Sequence, residues 1–182
     1  MNKKITFSLT TTWILLSRAY DALCTYQYTP DLSHEANPLV SVLGMTWGPL
    51  LLVIGLLCIY SIYAYYRSVF EDFSLAPTEK GYSFNHFMGY VYIGRKCHWL
   101  SSLYRLPTSA KRFHHYMGHL FSRCLDFAGV VSTIMWLLIN YTDFYMKQWH
   151  STTFIYSLLA VGCTLICYQW LWRMYQAYKL RG

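Results

Sequence analysis

Pro49-Leu-Leu-Leu-Val-Ile-Gly-Leu-Leu-Cys-Ile-Tyr60 is the stretch on which the fold turns. It carries no charge, and its Leu, Val and Ile side chains point to every side of a helix. A helix that is apolar all round has no wet face, so it belongs in a bilayer or in the centre of a large core. Extended to residues 38–66, it exceeds the roughly 20 residues that cross a hydrocarbon layer. Three further segments have this character: residues 5–28, residues 124–142 around Gly129-Val-Val-Ser-Thr-Ile-Met-Trp-Leu-Leu-Ile139, and residues 152–172. The first is the least apolar, being interrupted by Arg18 and Asp21. Lipid offers no water to a peptide group, so such spans are helical. The expected fold class is all-α, a single-domain integral membrane bundle of four transmembrane helices over residues 1–182.

Composition points the same way. Of 182 residues, 55% are hydrophobic and 13% charged, against about 25% charged in a soluble domain. That excludes disorder, a disulfide-stapled miniprotein and an ordinary soluble enzyme. Mean hydropathy is a mild +0.22 because of 18 tyrosines, whose rings suit a membrane interface although they score as polar. The net charge of +7 is explained by topology. Lys3 and Lys4 precede the first span, eight basic residues from Arg67 to Arg123 lie between the second and third, and Arg173, Lys179 and Arg181 follow the fourth. Thirteen of the fifteen basic residues thus fall on one side, as cytoplasmic flanks require. Both termini are expected in the cytoplasm of a bacterial inner-membrane protein, and no nucleic-acid partner is needed to account for the charge.

Met-Asn-Lys-Lys before an apolar stretch also fits a signal peptide with Ser17-Arg-Ala19 as its cleavage site. Cleavage would remove a span and break the charge asymmetry, so the segment is read as retained. The six cysteines suggest no disulfide framework. Cys163 and Cys167 share a helix face at i, i+4, and packing is the expected role.

The cytoplasmic connection, residues 67–112, is the one sizeable part outside the spans. Trp99, Leu100, Leu103 and Leu106 stand at helical spacing opposite His98, Ser101, Ser102 and Arg105, which suits an interfacial helix on the anionic inner leaflet. Pro107 ends it, and Ser109 offers the N-cap of a helix that runs on into the third span. Residues 81–94, rich in Phe, Tyr and Val, read as either a partly embedded turn or a strand-like loop.

Two polar constellations stand out. Toward the outer face, Arg18, Asp21 and Thr25 share one face of the first span. Ionisable groups inside a span default to a functional reading, although an Arg18–Asp21 pair at i, i+3 would neutralise itself. After the span comes His34-Glu-Ala-Asn-Pro38, with Asn37 as N-cap and Pro38 in the first turn of the second helix. Asp21, Thr25, His34, Glu35 and Asn37 together form a candidate cation site, which His150 and Asn140 could join. The order Asp21-x-x-x-Thr25, an acidic turn, Glu35-x-Asn37-Pro38 and an apolar helix resembles a family of small uncharacterised bacterial multi-pass membrane proteins. The resemblance covers roughly residues 14–66 and implies a membrane protein without implying an activity.

Toward the inner face, His115, His119, Ser122 and Asp126 recur at intervals of four, three and four on the helix that starts at Ser109. His114 stands beside them, with His86 and His98 upstream. Histidines at i, i+4 can chelate a metal from one face, so His115, His119 and Asp126 are candidate ligands for a divalent ion. One of the histidines could instead hold a haem. The alternatives are the wet, headgroup side of a helix crossing the interface, and a proton relay. No Gly-x-Ser-x-Gly, His-Glu-x-x-His or phosphate-loop pattern occurs.

Three functions fit. The first is a cation-binding or cation-conducting protein built on Asp21, Glu35 and Asn37, oligomerising to line a pathway. The second is a metal-dependent enzyme acting on a lipid or lipid-linked substrate through His115, His119 and Asp126. The third is a non-catalytic subunit or assembly factor of a larger membrane complex.

Overall fold

A computed structural model of the protein describes residues 2–33, 35, 37–142 and 152–181. Of these, 77% are helical, and no strand occurs among the described residues. Helix α1 (Lys3–Tyr28) begins where the Asn2 side chain accepts the Lys4 N–H at 3.0 Å. It ends before Pro30, with the Thr29 N–H closing on the Thr25 carbonyl. Helix α2 (Pro38–Ser41) has the expected Asn37 cap and Pro38 at its start, but lasts a single turn. Gly44, at φ 65°, takes the chain out of the helix in a left-handed conformation that other residues resist. The second long helix, α3 (Trp47–Phe70), therefore starts at Trp47 rather than at Pro38.

Helix α4 (Phe84–Ile93) replaces the turn or strand-like loop expected for residues 81–94. Its C-terminus is set by Gly94 at φ 95°. The interfacial helix expected over residues 99–106 shrinks to one 3-10 turn, Trp99–Leu103. Its apolar residues still face outward, Leu103 being 78% and Leu106 83% exposed. Helix α5 (Ala110–Tyr141) runs unbroken for 32 residues from the Ser109 cap, whose Oγ accepts the Arg112 N–H at 3.2 Å. Helix α6 (Thr152–Leu180) is the last.

Three helical stretches, Trp47–Phe70, Ala110–Tyr141 and Phe154–Leu180, are long and apolar enough to cross a membrane. Helix α1 is long enough at 26 residues, but Thr10, Thr11, Thr12, Arg18 and Asp21 dilute its apolar character. The chain has the build of a membrane protein.

The chain forms two compact units, Met1–Tyr60 with Leu125–Gly162, and Ser61–Cys124 with Cys163–Gly182. In the first, α1 lies along α5. Trp13 Nε1 donates to the Asp126 carbonyl at 3.2 Å, Ser17 fills the space where a Cβ on Gly129 would sit, and Trp136 Nε1 donates to Asp21 Oδ1 at 2.7 Å. Residue numbers rise together along both helices, so the two run parallel. In the second unit, α5 is antiparallel to α3 and to α6. Gly118 abuts the Ala64 carbonyl while Lys111 approaches Glu71, and Tyr116 meets Trp170 while Cys124 meets Cys167.

The second unit's core explains α4. Leu75, Tyr82, Phe87, Val91, Trp170 and Tyr175 are buried together. Tyr178 Oη donates to the Glu79 carbonyl at 2.8 Å and accepts the Tyr82 N–H at 3.1 Å, while Tyr175 Oη donates to the Tyr82 carbonyl at 3.2 Å. The aromatic face of α4 is thus buried on α6, and tertiary packing overrides the extended preference of its Phe, Tyr and Val residues.

Candidate functional site

The first unit holds Arg18 and Asp21, the charged residues in the middle of α1. Arg18 and Asp21 sit one turn apart on α1, and Arg18 Nη1 donates to Asp21 Oδ2 at 3.3 Å. Arg18 Nη2 donates to Ser132 Oγ of α5 at 2.7 Å, and Trp136 Nε1 caps the other carboxylate oxygen. Charge and hydrogen-bonding capacity are largely met within this cluster, so a cation arriving at Asp21 would meet a guanidinium already there. Thr25 is buried on α1, one turn on.

Glu35 and Asn37 serve the short helix. Glu35 Oε1 accepts the Asn37 N–H at 2.8 Å, and Asn37 Oδ1 accepts the Leu39 N–H at 3.0 Å. Tyr156 of α6 lies within electrostatic reach of both Glu35 and Asp21. Asn140 lies against Tyr20 of α1. His34 and His150 fall outside the described residues.

The histidine stripe enters a different setting. His115 is 1% exposed. Its Nδ1 donates to the Lys111 carbonyl at 2.8 Å, leaving Nε2 pointed toward Glu71 Oε2 at 3.9 Å. Phe73 covers the ring at a centroid distance of 4.8 Å. Glu71 is held by Arg67 through a two-pronged pair, Nε to Oε1 and Nη2 to Oε2, with Lys111 Nζ 3.8 Å away. The Arg67 guanidinium, with help from His115 and Lys111, keeps the Glu71 carboxyl below the usual carboxylate range. The arrangement is a carboxylate ringed by a guanidinium, an ammonium and an imidazole.

His119, one turn on, lays its ring against Trp170 at 5.3 Å, and its Nδ1 is 3.4 Å from Arg123 Nη1. Ser122 Oγ donates to the His119 carbonyl at 3.4 Å. Asp126 belongs to the first unit, where its carbonyl accepts from Trp13. Among the described residues, no three His, Cys, Asp or Glu side chains are grouped to hold a metal ion. His86 and His98 place their rings 6.2 Å apart, and His98 Nδ1 accepts the Leu100 N–H. His114 meets the edge of Tyr63.

No family model, curated protein or solved structure matches the chain.

His119 also lines a cavity of about 270 Å³ in the second unit. Phe73, Leu75, Trp170 and Met174 supply apolar walls, and Arg181 a positive charge. One wall of it is kept in place by Arg112, which is buried in spite of its charge. Arg112 Nη1 donates to the carbonyls of Leu75, Tyr90 and Val91 at 3.0 to 3.1 Å, and its guanidinium lies over the Phe73 and Tyr90 rings. The last two carbonyls belong to the final turn of α4, where a cation is favoured; that of Tyr90 also accepts the Gly94 N–H.

Sequence reasoning missed Arg67, Glu71, Arg112, Trp170 and Arg181. Arg67-x-x-x-Glu71 carries a readable i, i+4 pairing signal. The partners of Arg112 are backbone carbonyls far off in the chain, which no side-chain pattern announces.

Proposed function

We propose that this is a four-span protein of the bacterial inner membrane that binds an anionic lipid or lipid-linked molecule in the cavity beside His119. Both termini and residues 71–109 lie on the cytoplasmic side. The parallel course of α1 and α5 supports this topology, since it starts α1 on the side from which α5 enters. The one-sided distribution of Lys and Arg supports it as well. The resemblance of residues 14–66 to bacterial multi-pass proteins supports the compartment. The observation that carries the ligand class is the lining: His119, Arg181, Ser74 and Tyr178 share a cavity with apolar walls from Phe73, Leu75, Trp170 and Met174. An apolar pocket with a few convergent polar groups suits a ligand with an acyl part and an anionic head.

Native mass spectrometry of purified protein with phosphatidylglycerol or phosphatidylcholine tests it. The anionic lipid is retained in preference, Arg181→Gln weakens retention about tenfold through loss of one charge-assisted contact, and Met174→Trp fills the pocket and abolishes it. Equal retention of both lipids, or wild-type retention by both variants, defeats the reading.

A second reading is a cation site at the outer ends of the first two long helices. It rests on Tyr156, which sits in reach of both Asp21 and Glu35. Cation flux in liposomes that is lost in Glu35→Gln supports it, and flux indifferent to that change rules it out.

A further inference from the structure

Three of the six cysteines converge in the second unit. Cys124 of α5 places its Sγ 3.7 Å from Sγ of Cys167 on α6. Cys163, one turn earlier on the same face of α6, also reaches Cys124. Unlike Cys24 and Cys58, which are buried, these three are partly exposed. Arg123, next to Cys124 in the chain, lies within electrostatic reach of Cys167.

We infer that Cys124 and Cys167 form a reversible dithiol–disulfide couple that joins α5 to α6 by exchange with a small disulfide such as oxidised glutathione. The sulfurs must close by about 1.7 Å to reach bonding distance, a move that side-chain rotation about Cα–Cβ can supply. Cys167, facing Arg123, attacks one sulfur of the small disulfide. That S–S bond breaks, a small thiolate leaves, and a mixed disulfide forms on Cys167. Cys124 then attacks the Cys167 sulfur and expels the second small thiolate. The two protons given up by the protein thiols end on the two leaving groups. Two protein S–H bonds are thus exchanged for one S–S bond, and one small disulfide is reduced to two thiols.

The full-length protein in nanodiscs is incubated with reduced and oxidised glutathione at set ratios, quenched with a maleimide and weighed intact. Two thiols disappear together and return together, no glutathione adduct persists, and peptide mapping links residue 124 to residue 167. Cys24 and Cys58 react about tenfold more slowly or less, as buried thiols do. Cys124→Ser removes the resolving thiol, so a glutathione adduct accumulates on Cys167. The inference is overturned if the two thiols titrate independently, if a stable adduct forms on the wild-type protein, or if Cys24 and Cys58 oxidise as fast.

Discussion

Replacing Arg112 by alanine should loosen the joint between α4 and α5. Nη1 carries only two hydrogens, so its three carbonyl contacts amount to about two charge-assisted hydrogen bonds, each near 1.5 kcal/mol at the low end for such bonds. The guanidinium over Phe73 and Tyr90 adds roughly 1 kcal/mol. Freeing the buried charge from its desolvation cost returns part of this, and the net loss is about 3 kcal/mol, close to the upper end of ordinary single substitutions. The contacts hold the end of α4, so the loss falls on local opening there. Two amides report it: the Gly94 N–H on the Tyr90 carbonyl and the Thr108 N–H on the Ile93 carbonyl. Their hydrogen exchange should accelerate about a hundredfold in Arg112→Ala, since each 1.4 kcal/mol is a factor of ten. Arg112→Lys keeps a charge without the planar fork and should fall between the two. Unchanged exchange at Gly94 and Thr108, or an equal rise throughout α1, would refute the assignment of Arg112 as the clasp of this joint.

Other outcomes follow from the same contacts. Gly94→Ala must hold a left-handed φ and place a methyl on Thr108 Oγ1 and Arg112 Nε, whereas Gly81→Ala meets open space; both lose about 1–2 kcal/mol of backbone preference, and only the first should lose visibly more in thermal unfolding. Gly118→Ala drives a methyl into the Ala64 carbonyl and the Tyr65 nitrogen and should part α3 from α5, while Gly55→Ala, with nothing near it, should be neutral or slightly stabilising in the same melt. Glu71 has a depressed folded pKa, so its stabilising effect is present above the ordinary value of 4.5 and fades as pH falls through the folded value. The wild-type melting temperature should drop along that limb as pH falls below the ordinary carboxylate value of 4.5, and Glu71→Gln should flatten this part of the curve. Arg18→Leu strands Asp21 against Trp136, so it should destabilise more than the Arg18→Leu/Asp21→Leu double variant, a coupling of about 1 kcal/mol measurable in a double-mutant cycle.

Local signals were the readable ones. The Ser109 cap, the unbroken helix after it, the Asn37-Pro38 start and the Arg18–Asp21 pairing each depend on residues within one turn, where capping and spacing rules act directly. Helix α4 was not readable, because its Phe, Tyr and Val content favours extended chain and only burial against Trp170 and Tyr175 makes it helical. The length of α2 was misjudged because Gly44 looks innocuous in an apolar run until its φ is seen to be positive. Among site residues, Asp21 was recognisable as an acid that needed a reason, but the reason includes Ser132 and Trp136, more than a hundred residues away. His115 was readable as one member of a helical stripe. Its closest carboxylate is Glu71 on another segment, and spacing within α5 cannot reveal that.

The Arg18–Asp21 pair also bears on the order in which the protein is made. Its partners on α5, Ser132 and Trp136, are synthesised 114 residues after Arg18 and 115 after Asp21. In the proposed four-span topology, α1 spends that interval beside the insertion machinery without them. A lone arginine or aspartate in a nascent segment this polar would oppose its partition into lipid. Spaced at i, i+3, the two side chains cancel each other's charge inside the segment itself, so α1 can wait as a self-sufficient helix. Arrival of α5 then recruits a pair already formed and converts a provisional neutralisation into a helix–helix lock.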